Sequence, residues 1–530
     1  MKRLAGTVSV LLVALGGCGG GSDPGRDVEV IPPYVLITLA TRPRVGPGAT
    51  LKIDFDSDGT TVQRSFDVSS LQFPATLTVT APGRTGNLLI FAGLDGPDGH
   101  AVASGTALVQ LPAEGHAELT LTLEPVDFVV NARVAPSQFL ARNAELSGRQ
   151  LAIRPDGSVM FVWEAECGQA SVCEVYARRF EPDGKPGKTG VSPPEDDLAA
   201  TRFAQLAREP AVAASSAGYL MTWASAPGAG QTFDVRASLF DAAGTFIRDD
   251  ITITADGLQE SAASPFALSD GSYVVAWTRA RAAGTTDVLT RLILPDGGLG
   301  GTILVSSNEA GNRTRPHGAG LSDDGFVVTW LRSEGASGST SVLARVYNAQ
   351  GQPASPELQV STNSSLTGSA AGVHVAGLPG GGFVVVWQAF DPNDASLIQR
   401  PLLARIYSAQ GVASSEIRVT ERTTAQAPTA VPALAVRAQD GAIAVAWADR
   451  DAGGDGNGLG VRLRMLGKDG TLCGDELQVN STTAGDQFEP SLVALSDEAF
   501  LVSYTDGSMA APDQSGNAVR ARYVYRDRCD

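Results

Sequence analysis

"GGGFVVVW", residues 380 to 387, is an alternating apolar run that ends in a tryptophan, Trp387. The chain has six tryptophans, and the other five close the same phrase: "GSVMFVW" (Trp163), "GYLMTW" (Trp223), "GSYVVAW" (Trp277), "GFVVTW" (Trp330) and "GAIAVAW" (Trp447). A seventh copy, "EAFLVSY", ends in Tyr504. Successive copies lie 60, 54, 53, 57, 60 and 57 residues apart. A fixed period in that range marks a repeat architecture, in which each unit hides its apolar faces against its neighbours.

Each unit reads as four strands. Strand A is short and rich in small residues, as in "PAVAAS" and "PSLVALSD"; an Asp/Gly turn leads to strand B, which ends in the Trp. A variable loop leads to strand C, which carries Arg178, Arg291, Arg345, Arg405, Arg464 or Arg522; the second unit departs, with Ser238 in that register and Arg236 two residues earlier. A Gly turn and strand D follow, as in "ILVSSN" and "LQVNST". Four antiparallel strands repeated seven times are the signature of an all-β, seven-bladed β-propeller. The seventh unit stops after strand C, whereas "DFVVNARV" (127–134) precedes the first strand A and shares Val-Asn with "ELQVNSTT" (476–483), at Val130-Asn131 and Val479-Asn480. That strand is expected to complete the last blade and close the ring, leaving no open sheet edge. The repeated Trp and Arg are expected to stack as cation–π pairs that hold the scaffold.

Composition fits such a chain. Of 530 residues 43% are apolar, with 60 Gly and 30 Pro, the profile of a turn-rich globular protein. The charge, 40 − 57 = −17, argues against nucleic acid or an anionic membrane surface as partner, since both reward basic patches. Residues 31–125 contain no Trp and alternate with period two in "VLITLAT", "TLKIDFD", "ATLTVTA" and "AELTLTLEP". Short strands punctuated by Gly, Pro and Asp predict a small immunoglobulin-like β-sandwich ahead of the propeller. The expected domains are a leader (1–18), a flexible tether (19–30), the sandwich (31–125) and the propeller (126–530).

The first residues carry Lys2 and Arg3, an apolar stretch, and Leu15-Gly16-Gly17-Cys18. That stretch is too short to span a bilayer and has the flanks of a signal peptide. Its ending resembles the lipobox of bacterial lipoproteins. The resemblance implies cleavage before Cys18, acylation of its thiol, and anchoring of the chain to the bacterial outer membrane, on the periplasmic side or at the cell surface. Four cysteines remain, Cys167, Cys173, Cys473 and Cys529, an even number that suits disulfides in an exported protein. The first two bracket the B–C connection of blade 1. A bridge between the last two would staple the C-terminal strand to the ring and contribute about 4 kcal/mol.

Candidate chemistry is sparse. His317 and His374 each stand 13 residues before the Trp of their blade, Trp330 and Trp387 (330 − 317 = 387 − 374 = 13), which predicts two imidazoles at one level of the channel, too few for a closed zinc site. Asp449, Asp451 and Asp455 form an acidic Gly-rich loop, and "DFDSDG" (54–59) begins like an EF-hand loop but has Ser65 where the twelfth-position carboxylate is needed. Calcium is the one cation these loops admit, and no cofactor is expected. No Gly-x-Ser-x-Gly, His-Glu-x-x-His or phosphate loop occurs.

The strand B, C and D phrases together resemble a repeat of bacterial secreted and surface proteins, some of them adhesin-like. The resemblance transfers no catalytic residue. It implies a lipid-anchored binding, adhesion or assembly scaffold, not an enzyme, with an unknown protein or glycan ligand. The alternative is a polysaccharide-active enzyme, a glycoside hydrolase or lyase, using one propeller face. Carboxylates and aromatics at one mouth of the channel favour the enzyme; a mouth of Gly, Ser and Ala favours binding or structure.

Overall fold

The computed structural model describes residues 9–13 and 34–525, apart from 58–59, 81–85, 133–136, 141–147, 166–173, 188–196, 200–205, 229, 282–283, 307–310, 335–338, 363–365, 368–371, 390–400, 421–430, 451–457, 497–498 and 515. Every regular element among the described residues is a strand. The chain divides into two compact units, Met1–Phe128 and Val129–Asp530.

The first unit holds β1 (Ser9–Val13), β2 (Tyr34–Thr41), β3 (Thr50–Ser57), β4 (Thr60–Asp67), β5 (Ala75–Thr80), β6 (Gly86–Asp95), β7 (Ala101–Leu111) and β8 (His116–Pro125), hydrogen-bonded in the order β1-β5-β2-β8-β7-β6-β3-β4. Period-two alternation sends Val35, Ile37 and Leu39 of β2, Leu51, Ile53 and Phe55 of β3, and Leu88, Ile90 and Leu94 of β6 into one core. β3 and β4 form a hairpin in which Asp54 accepts from Gln63 Nε2 at 2.8 Å and Asp56 from Thr61 Oγ1 at 3.1 Å. These two acids are therefore held by their cross-strand neighbours; Asp58 and Gly59 lie outside the described residues.

The second unit is a seven-bladed β-propeller. Blade 3 shows the pattern, with strands A to D at Glu260–Ala267, Tyr273–Ala280, Thr286–Ile293 and Leu299–Leu304. Blade 7 takes Gln487–Ala494, Ala499–Asp506 and Ala518–Tyr525 from the end of the chain and Phe128–Val129 from the start of the repeats. Strand B is buried along its whole length in blades 1, 2, 5 and 7 because each blade is packed on both faces. Its near-continuous apolar sequence follows from that. The repeated aromatics Trp163, Trp223, Trp277, Trp330, Trp387, Trp447 and Tyr504 are all buried, and the core clusters straddle neighbouring blades rather than filling single ones. Trp387 of blade 5, for example, shares its cluster with Val327, Leu331 and Val342 of blade 4.

Two repeated devices join the blades. Where strand D ends, at Val130, Ile253, Val305, Val360, Val419 and Val479, the backbone N–H donates to a strand C carbonyl. The side-chain oxygen of the next residue, Asn131, Thr254, Ser306, Ser361, Thr420 or Asn480, accepts from the N–H of that same strand C residue at 2.9–3.3 Å. The freed carbonyl of the strand D residue is then taken by the strand C arginine of the following blade: Arg178 on Val130, Arg291 on Ile253, Arg345 on Val305, Arg405 on Val360, Arg464 on Val419 and Arg522 on Val479. The arginines thus clamp a backbone oxygen one blade back, in place of the stacking on Trp read from the sequence. In blade 5 this sends Arg405 to Val360 and leaves Trp387 to fill the apolar gap against blade 4. Blade 2 lacks the arginine in that register; its Ser238 bonds Asp249 and its Arg236 pairs with Asp250.

Candidate active site

Neighbouring strands A contact one another around the ring and line its channel. The two channel ends differ. At the end formed by the A–B turns lies a cavity of about 670 Å³, lined by serines, glycines and leucines, among them Ser216, Ser269, Ser322 and Ser496 over Leu268, Leu321, Leu378 and Leu495. Its one charged residue, Arg154, is already paired with Asp156. No carboxylate lines it, so this end offers no acid–base chemistry.

The opposite end, where strand A begins, is built differently. Strand A slips register against strand B between Arg208 and Ala211, Ser261 and Ser264, Thr314 and His317, and Phe488 and Ser491. At each slip one residue adopts a left-handed backbone: Glu209 (φ 58°), Ala262 (56°), Arg315 (54°) and Glu489 (57°). A non-glycine residue pays roughly 1–2 kcal/mol for that conformation. Four blades bear the strain at the same place, and such strain concentrates at functional sites.

Glu260, two residues before the blade 3 bulge, is buried. Its Oε1 accepts from Trp277 Nε1 at 3.0 Å. Burial, with the negative charges of Asp256 and Asp234 adding to it, pushes its carboxyl up to about 7. Asp234 is raised too, by its own burial, while Asp256 accepts from Arg279 Nη1 at 3.3 Å. Blade 1 fills the Glu260 position with Gln138, which takes the Trp163 indole N–H without an ionisable group. The tryptophan therefore needs an acceptor there, not an acid.

Toward the middle of the channel, Arg149 crosses from blade 1 and donates to the carbonyls of Ala262 (3.2 Å), Ala263 (3.4 Å) and Pro316 (2.8 Å). Burial lowers its guanidinium to about 10; Glu209 opposes that shift and Arg315 adds to it. The rings of His317 and His374 stack with centroids 4.1 Å apart, as their shared register implied, and Val375 N–H donates to His317 Nδ1 at 3.3 Å. Burial, His374 and Arg149 together hold the His317 imidazole well below its ordinary value. Because the folded pKa is depressed, the unfolded chain binds the extra proton: this stability is fully present above about pH 6.5 and is lost as pH falls below it, at up to about 1.4 kcal/mol per pH unit. Urea midpoints measured from pH 7 to 5 should fall less steeply for His317→Phe than for wild type; equal slopes would show that His317 does not govern the acid limb.

Of the other residues singled out from sequence, Asp449 is buried at the end of a strand B, Ile443–Arg450, and Asp451 and Asp455 lie outside the described residues. Cys473 is disulfide-bonded; Cys18, Cys167, Cys173 and Cys529 lie outside the described residues. Among the described residues no three His, Cys, Asp or Glu side chains gather as a metal site. Sequence reading missed Arg149, Glu209, Glu260 and Arg315. A signal was present for the bulges, a charged residue before proline at strand A in Glu209-Pro210, Arg315-Pro316 and Glu489-Pro490.

No family model matches the chain, and no curated protein matches it. Among solved structures it is similar to a protein of unknown function from Dyadobacter fermentans, at 11% identity and TM-score 0.43 over 76% of this chain and 98% of that one. It is similar to the GH93 α-L-arabinofuranosidase of Fusarium graminearum, at 11% identity and TM-score 0.39 over 75% of this chain and 98% of that one. It is similar also to the leech intramolecular trans-sialidase, at 10% identity and TM-score 0.41 over 91% of this chain and 92% of that one. At these identities the likeness is one of fold. The last two are carbohydrate-active enzymes, which corrects two expectations set out above: that the propeller is a binding, adhesion or assembly scaffold, and that the chain is not an enzyme.

Proposed function

We propose that the chain is a glycan-cleaving enzyme that works from the bulge-bearing end of the channel, with Glu260 as its acid. One observation carries this: a buried carboxyl held protonated near neutral pH, where glutamine suffices for the structural task in blade 1. A protonated carboxylic acid can protonate the oxygen that leaves when a glycosidic bond breaks, and a second carboxylate completes the pair. Asp256, which raises the Glu260 pKa, takes that second place.

Aryl glycosides, arabinofuranosides and sialosides among them, together with polysaccharides, make the assay panel. Glu260→Gln keeps an acceptor for Trp277 and removes the proton, so the turnover rate should drop by about 10²–10⁴-fold with KM little changed. The wild-type rate should fall as pH rises through about 7, where Glu260 loses its proton. Absence of turnover on every substrate, or a Glu260→Gln variant as active as wild type, would sink the reading.

We infer further that Cys18 is acylated and anchors the enzyme to the bacterial envelope, on the strength of the lipobox-like sequence. Cleavage before Cys18 would remove β1 and expose the edge of β5. The strand pairing and shared core of β2 to β8 support an immunoglobulin-like β-sandwich for residues 31–125.

A further inference from the structure

The throat of the channel carries positive charge that the described acids do not balance. Strands A of blades 1, 2, 4 and 5 bring together Arg149, Glu209, Arg315, His317 and His374. Glu209 is the acid that faces Arg149, and it is divided: Oε2 accepts from Ala262 N–H at 2.9 Å, while Oε1 lies 3.6 Å from Arg208 Nε. Arg149 donates to carbonyls and not to a carboxylate, and its buried Nε has no hydrogen-bond partner. Carbonyl dipoles ease the burial of a guanidinium but leave its net charge in place. Arg315, half-buried on its bulge, adds a second cation close enough to disfavour the charge on Arg149. In a chain of net charge −17 this is an isolated cationic spot, and the cavity at the other end of the channel has no counterpart to it.

We propose that this throat binds an oxyanion carried by the glycan substrate, with Arg315 as the accessible contact and Arg149 as the fixed charge behind it. The substrate class is then an acidic glycan, bearing a carboxylate or a sulfate ester; this step rests on the glycan-cleaving reading. An oxyanion supplies the negative charge that Glu209 cannot give to three arginines at once. The imidazoles beside it, neutral at pH 7, leave the arginines as the charges that attract it.

The test is thermal unfolding of the full chain at pH 7 and constant ionic strength, titrated with sodium sulfate, glucuronic acid or the neutral methyl ester of glucuronic acid. Wild type should show a saturable rise in Tm with sulfate and with glucuronate, and none with the ester, because a ligand that binds only the folded state stabilises it. Arg315→Ala should abolish the rise and Arg315→Lys should keep part of it. Alanine fits this backbone, since Ala262 holds the same left-handed bulge in blade 3, and a cooperative transition in the absence of anion confirms folding of each variant. No saturable rise, or an equal rise in Arg315→Ala, overturns the proposal. A rise with sulfate but not glucuronate reduces the throat to a site for a free inorganic anion and overturns its role in glycan recognition. The readout needs no turnover. A chain that binds glucuronate yet cleaves nothing defeats the enzyme reading alone, and one that cleaves neutral glycosides with no anion-dependent shift defeats the throat alone.

Discussion

Replacing Asn131 by alanine is expected to cost about 2–4 kcal/mol and to break the single cooperative unfolding of the propeller. Asn131 is buried where the ring closes; its Oδ1 accepts from Val519 N–H at 2.9 Å and its Nδ2 donates to Asp513 Oδ2 at 2.8 Å. Truncation takes one partner from a buried N–H and another from a buried carboxylate, each loss worth roughly 1–3 kcal/mol. Asn480 supplies the control. It holds the same place in blade 6, accepting from Val461 N–H at 2.9 Å and donating to Gln487 and Thr482. Asn480→Ala should lose a similar number of hydrogen bonds between strands that are near neighbours in sequence. Asn131 instead joins strands 388 residues apart, so its loss lets blade 7 open while the other blades stay folded. Urea unfolding followed by Trp fluorescence and by circular dichroism should give coincident transitions for Asn480→Ala, and separated ones with a reduced slope for Asn131→Ala. Coincident transitions of equal slope in both variants would mean that Phe128–Val129 is not the clasp of the ring.

The scaffold was legible in the sequence because its causes are side chains that repeat. A strand packed on both faces must be apolar throughout and end in a residue large enough to fill the gap between blades, so strand B and its Trp announce each blade. The shared spacing of His317 to Trp330 and of His374 to Trp387 was enough to place the two imidazoles together. The arginines were visible, but their partners were not, because a backbone carbonyl one blade back leaves no mark on residue type. The bulges escaped for a related reason. A register slip is a relation between two strands, and the left-handed residue at its centre is Glu, Ala or Arg, none of which signals positive φ as glycine does. Glu260 looked like any polar residue at the start of a strand; its chemistry arises from burial and from two aspartates 26 and 4 residues earlier (260 − 234 and 260 − 256). The scaffold reading of the function followed from this blindness, since repeated residues are seen easily and the acid that breaks the pattern is not.

Gly148→Ala is the substitution expected to disturb the channel most. A Cβ at residue 148 would lie 2.2 Å from His374 Cε1, and the backbone there has φ of 87°. The ring in its way cannot move aside, because it is buried, 1% exposed, and stacked on His317. Positive φ at alanine costs roughly 1–2 kcal/mol, and overpacking against a rigid buried group adds about 1–3 kcal/mol. The two together remove about 3–4 kcal/mol and shift Arg149, the next residue, from the carbonyls it reaches. Gly380→Ala separates the terms. Gly380 has nearly the same φ, 86°, with nothing within 4 Å of where a Cβ would stand, so it should lose the backbone term alone. A further comparison isolates the steric term, since His374→Ala removes the obstruction. In the His374→Ala background, Gly148→Ala should cost no more than Gly380→Ala does in wild type, giving a coupling energy of about 1–3 kcal/mol in the double-mutant cycle. Equal losses for Gly148→Ala and Gly380→Ala in the wild-type background would place the histidine pair elsewhere than against blade 1, and the Arg149 strut with it.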